Sequence, residues 1–203
     1  MRAGIHRKVE LHYRHDDGEP IIGSASSRLE GSRSARARWL RLLSWSLVEA
    51  LQATSIADRG RLAVILALPG ARETSVADPH HAGVLLRELD RECGIELGLD
   101  PRRVSIVRSG ASGAMHALAL AQRELEGGEP CLVAAADSLI GAEALLDLRA
   151  RKRLLAEDNP DGVIPGEAAA CLLIARERVG ALAHVRALGF GHERALPEND
   201  IPM

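Results

Sequence analysis

SIVRSGASGAMHALALA, from Ser105 to Ala121, runs an apolar strand into a turn of Ser109, Gly110, Ala111, Ser112 and Gly113 and then directly into a helix. Such a turn sets one residue at a helix N-terminus, where the free backbone N–H groups from Ala114 onward favour a developing negative charge. Acyl chemistry wants a nucleophile at that place. The turn holds no cysteine.

The same alternation extends to both sides. Leu62 to Pro69, LAVILALP, is a continuous apolar run with a Pro-Gly stop, as expected of a strand buried on both faces. Pro79 to Leu97 follows as a helix with Leu85, Leu86, Leu89 and Cys93 on one side and Gly98 as its C-cap. Val104 to Val107 is the second strand, and Ala114 to Leu125 the helix it leads into, stopped by Gly127 and Gly128. Cys131 to Ala136, Ala168 to Ala175 and His184 to Gly189 read as further strands. A helix over Leu139 to Leu155 and a loop over Asn159 to Gly166 lie between them. The last two strands are joined by a connection short enough for a hairpin. The order predicts an α/β fold with a mostly parallel sheet and an antiparallel pair at its end.

Upstream, Ala35 to Ala53 is an amphipathic helix. Trp39, Leu42, Leu43, Ser46, Leu47 and Ala50 form its buried face, and Arg33, Arg36, Arg38 and Arg41 mark its exposed side. Residues 1–33 are a polar, loosely held arm with one short strand around Val9 to Tyr13, leaving 34–203 as the folded domain.

Composition narrows the function classes. In 203 residues there are two Trp, one Tyr and one Phe, so Leu, Ala, Val and Ile must fill the core, which suits helices on a sheet better than a β-sandwich. A net charge of −2 provides no global field for nucleic acid or an anionic membrane. The arginines near residue 38 lack the interleaved aromatics of a nucleic-acid surface. Cys93, Cys131 and Cys171 are too widely spaced for a metal or redox pair and read as buried thiols. His80 and His81 are adjacent, diverge on a helix and chelate one metal poorly. With no apolar run of signal-peptide or membrane-span length, the expectation is a cytoplasmic chain with no metal and no cofactor.

Three segments together carry a resemblance: SGASGAMHALALAQREL, LVAAADSL and DGVIPGEAAACLLIARE. In this order they resemble the N-terminal half of a β-ketoacyl synthase of the thiolase superfamily, over about Ala35 to Gly191. Asp137-Ser138 and Asp161, Gly162, Pro165, Gly166, Glu167, Ala168 and Ala169 match the family's later motifs. The resemblance implies a thiolase-like layered half, βαβαβαββ. It sets in fatty-acid or polyketide acyl chemistry a chain whose partners are an acyl carrier protein or a synthase subunit in a homo- or hetero-dimer. It also places the family's acyl-accepting cysteine at Ala111, where a methyl group forms no thioester, and the family's second half, with its His and Asn residues, is not matched. The expectation is an acyltransferase-type fold that is non-catalytic alone. Ser109, Gly110, Ser112 and Gly113 would line the retained site, and the chain would act as an acyl-binding or partner subunit.

Other assignments stay beside this one. Asp137-Ser138 reads as a cap for the following helix, Glu167 as an acceptor for loop amides rather than an acid or base, and His116 as a packed or surface helical histidine rather than a base. Gly110-Ala111-Ser112-Gly113-Ala114 also nearly spells the G-x-S-x-G elbow of a serine hydrolase. Ser112 would then be the nucleophile, Asp137 or Asp161 the orienting carboxylate, and His184 or His192 the base.

Overall fold

The computed structural model describes residues 8–31, 34–52, 54–69, 73–76, 79–176 and 180–191. A hairpin of β1 (Val9–Arg14) and β2 (Pro20–Gly23) precedes helix α1 (Ala35–Leu51) and the single turn α2 (Ile56–Arg59). There follow β3 (Ala63–Ala67), β4 (Glu73–Val76), α3 (Pro79–Cys93), β5 (Val104–Arg108), α4 (Gly113–Glu126), β6 (Cys131–Ser138), α5 (Ala142–Ala150) and β7 (Glu167–Ile174). The main sheet has the order β4-β5-β3-β6-β7. Its three central strands are parallel, and β4 and β7 run antiparallel at the edges. The chain is thus α/β, as expected.

The strand at the centre, β3, is buried at every position because helices cover both sheet faces. Side chains alternate across a strand, so Val64 and Leu66 enter a core with Leu43, Leu47 and Leu89 of α1 and α3. Ala63, Ile65 and Ala67 enter another with Ala117 and Ala121 of α4. The sheet is therefore sandwiched between α1 with α3 and α4. On α4 the sheet-facing positions Gly113, Ala117 and Ala121 are all small and recur every four residues, which lets the helix lie close; a Cβ at Gly113 would touch Ala67 Cβ at 3.5 Å. Ala117→Leu should accordingly lower stability by about 1–3 kcal/mol through overpacking, whereas Met115→Leu on the half-exposed side should change it by less than about 0.5 kcal/mol. Equal denaturation midpoints for both variants would show that α4 does not approach this closely.

Several boundaries differ from the sequence expectation. Helix α3 ends at Cys93 rather than Leu97, because Gly94 takes the left-handed conformation (φ 68°) and Leu97 returns to the helix, its N–H donating to Asp90 Oδ1 at 2.8 Å. Helix α5 covers Ala142–Ala150 rather than Leu139 to Leu155. Its start is displaced by Gly141, where a Cβ would lie 2.9 Å from Ala35 Cβ. Its end is a Schellman turn: the Lys152 N–H donates to Arg149 O at 2.8 Å and the Arg153 N–H to Leu148 O at 2.7 Å, with Lys152 at φ 49°.

The proposed last strand, His184 to Gly189, does not form. Residues 180–191 carry no regular structure, and Leu182, Val185 and Phe190 are exposed. The segment makes no ladder with β7, and the Phe190 ring lies 4.9 Å from that of His116 on α4, so the chain is drawn to the helix layer instead of the sheet.

Of the N-terminal arm, the described residues 8–31 are held against the domain rather than loosely. Ile21 is buried with Leu145 and Leu154, Leu29 is buried, and the Ser24 N–H donates to Pro165 O at 2.8 Å. Asp16, in the turn of the hairpin, pairs with Arg149 of α5.

Candidate functional site

Two constellations stand at the carboxyl ends of the parallel strands. The first is the turn between β5 and α4. Among neighbouring strands, β3 leads through β4 to α3 on one face and β5 leads to α4 on the other, and the crevice at such a switch point is where open α/β sheets place ligands. The two strand ends are tied together: the Leu68 N–H donates to Val107 O at 2.9 Å and Arg108 Nη1 to Pro69 O at 2.8 Å.

Gly110 to Ser112 form one turn of 3-10 helix, entered through Gly110 at φ 53°, a left-handed conformation that glycine adopts without Cβ strain. Ser112 occupies the N-cap position of α4 but makes no side-chain cap; its Oγ donates to Ser109 O at 2.9 Å. The turn therefore presents helix N–H groups uncapped by a side chain, with Ala111 at its middle.

Chemically, the turn offers helix N–H groups that favour a negative charge, while Ala111 supplies no nucleophile. The Ser112 hydroxyl points its proton at a backbone carbonyl, and among the described residues no imidazole reaches it. His116, one turn along α4, is half-buried, with its ring 4.9 Å from that of Phe190. Asp137 accepts from the Ser138 N–H at 2.7 Å, Asp161 is exposed in its loop, His184 is exposed, and His192 lies outside the described residues.

Burial pushes Cys131 and Cys171 up to about 12, and burial also raises Cys93, whose Sγ donates to Ser44 O at 3.7 Å. Cys131 is fully buried, but Cys93 and Cys171 are only half-buried.

The second constellation centres on Glu167, the first residue of β7, whose backbone partner across the sheet is Ser138 at the end of β6. Arg38 of α1 grips the carboxylate with two parallel bonds, Nε to Oε2 at 2.7 Å and Nη2 to Oε1 at 2.6 Å. The Ser26 N–H donates to Oε1 at 2.8 Å and Ser138 Oγ to Oε2 at 3.0 Å. Arg38 Nη1 also donates to Leu29 O at 2.9 Å. The side chains are 6% and 1% exposed, so four segments distant in sequence meet at one dry ion pair.

Glu167 is thus an acceptor for a loop amide, as expected, and its donors occupy both oxygens. Arg38 corrects the sequence assignment: it is buried rather than on the exposed side of α1, because Glu167 and the carbonyl of Leu29 neutralise and ligate it. The pair Asp137-Ser138 does not cap α5, whose N-cap is Gly141; Ser138 Oγ instead accepts from the Ile140 N–H at 3.2 Å while donating to Glu167. Ser26 and Arg38 were not among the sequence candidates.

Burial pushes the Glu167 carboxyl up, but the hydrogen bonds from Arg38, Ser26 and Ser138 and the charge of Arg38 outweigh it, so its pKa lies below the usual 4.5. A carboxylate depressed in the folded state stabilises above its unfolded pKa, and that contribution is lost as pH falls through the folded value. Glu167→Gln should therefore be less stable than the natural chain at pH 7, with a gap that narrows below about pH 4. Urea midpoints between pH 3 and 7 measure this, and a gap independent of pH would rule out the ionised pair.

Among the described residues no group of three or more His, Cys, Asp or Glu is placed to hold a metal, and no helix is long and apolar enough to cross a membrane. Two surface hollows, about 230 Å³ beside Asp90 and Leu97 and about 330 Å³ beside His15 and Leu155, are lined by none of the turn residues. No protein-family model, curated protein or solved structure matches this chain.

Proposed function

We propose that this chain is a thiolase-like, β-ketoacyl-synthase-like half in which the nucleophile position is occupied by Ala111, and that it serves acyl chemistry as an acyl-binding or partner subunit rather than as a catalyst by itself. The observation that carries this reading is the β5–α4 turn. It combines a switch-point position, a left-handed glycine and helix N–H groups uncapped by a side chain, with alanine where a nucleophile would stand. Support from the fold is at the level of an α/β sheet covered by helices, whose three parallel strands are followed by an antiparallel β7; β4 is an additional edge strand, and the second closing strand of βαβαβαββ is not formed among the described residues. In that half, the PGEAAA segment has a structural role: Glu167 anchors β7 to α1 and to Ser26 in the segment that follows the N-terminal hairpin.

The partners in this proposal are an acyl carrier protein or a synthase subunit, in a homo- or hetero-dimer in the cytoplasm. Serine-hydrolase chemistry through Ser112 has no base within hydrogen-bonding distance among the described residues, and no observation favours it.

Intact mass after incubation with an acyl-loaded carrier protein, and in parallel with a fluorophosphonate, separates the readings. The natural chain should gain no mass from either, and Ala111→Cys should capture the acyl group as a thioester. A gain on the natural chain that disappears in Ser112→Ala would overturn the proposal and identify a serine nucleophile. An unmodified Ala111→Cys would remove the acyl-site assignment of the turn.

A further inference from the structure

We draw no further inference here: the strongest candidate, the outer edge of β7, which pairs with no strand among the described residues and has Leu172 and Leu173 exposed beside it, carries nothing because nothing in the structure shows what covers it.

Discussion

Arg38→Ala is expected to lower the stability of the fold by about 3–5 kcal/mol, because it leaves the Glu167 carboxylate buried without its counter-ion. The loss extends beyond the charge pair, since Leu29 O gives up the Arg38 donor in the same step and a buried carbonyl without a partner costs about 1–3 kcal/mol. Two ion pairs on the same helix supply the contrast. Arg36–Glu88 and Arg41–Glu92 join α1 to α3 at the surface, where water already solvates both partners, and their removal should cost no more than about 1 kcal/mol each. Replacing both buried partners with apolar residues, in Arg38→Met with Glu167→Leu, should recover much of the single-variant loss, because no charge then remains to be desolvated. Urea unfolding with unchanged slope gives all four values. A loss below about 1 kcal/mol for Arg38→Ala would mean that water reaches the pair and that it does not anchor the arm.

The same pair marks the limit of what the sequence reveals. Strands β3, β5 and β6 and helix α4 were legible because each is decided locally: a run of apolar residues buried on both faces, then a Gly/Ser turn, then small residues every fourth position. Arg38 and Glu167 are 129 residues apart, and nothing in the helical period of α1 brings them together. On the helical wheel Arg38 falls about 180° from Leu47, a fully buried residue, and therefore looks solvent-facing. It is buried because the segment around Leu29 and the start of β7 close over the first turn of α1, which is a tertiary fact.

The buried arc of α1 is broader than its apolar stripe for a related reason. The helix packs on β6, β7 and α3 at once, so Leu40, Ser44 and Leu51 join it while Leu42, Ser46 and Ala50 are only half-buried. The fifth strand failed differently. Val185, Ala187 and Leu188 suggest a strand over His184 to Gly189, but a pattern supplies no ladder partner, and Phe190 finds His116 instead. At the candidate site, the Ser109–Gly113 turn was readable from five consecutive residues, whereas the role of Ser138 was not. Asp and Ser before a helix suggest a cap, and the close approach of Gly141 to Ala35 moves the helix start beyond their reach.

Gly162→Ala is expected to cost about 3 kcal/mol, a large effect for one methyl group on a surface loop. A Cβ at Gly162 would lie 2.5 Å from the carbonyl carbon and oxygen of Leu154 and from the nitrogen of Leu155. Those are backbone atoms, so no rotamer change relieves the contact and the two strands of the loop must separate. Separation breaks two hydrogen bonds, Leu155 N–H to Val163 O at 3.0 Å and Val163 N–H to Arg153 O at 2.6 Å, each contributing about 1 kcal/mol. It also draws Leu154 away from Ile21 and Leu145, where full burial of a leucine contributes about 1.5–3 kcal/mol, only part of which is lost. Because Pro165 and Gly166 hold Ser24 immediately before Glu167, loosening this loop should also expose the N-terminal hairpin to hydrogen exchange. Gly180→Ala tests a glycine with open space around it but a left-handed backbone, so it should show only the smaller conformational cost of about 1 kcal/mol. If Gly162→Ala matched Gly180→Ala in both unfolding midpoint and exchange of the hairpin amides, the close approach of residue 162 to Leu154 would be refuted, and with it the account of how this loop presents Glu167 to Arg38.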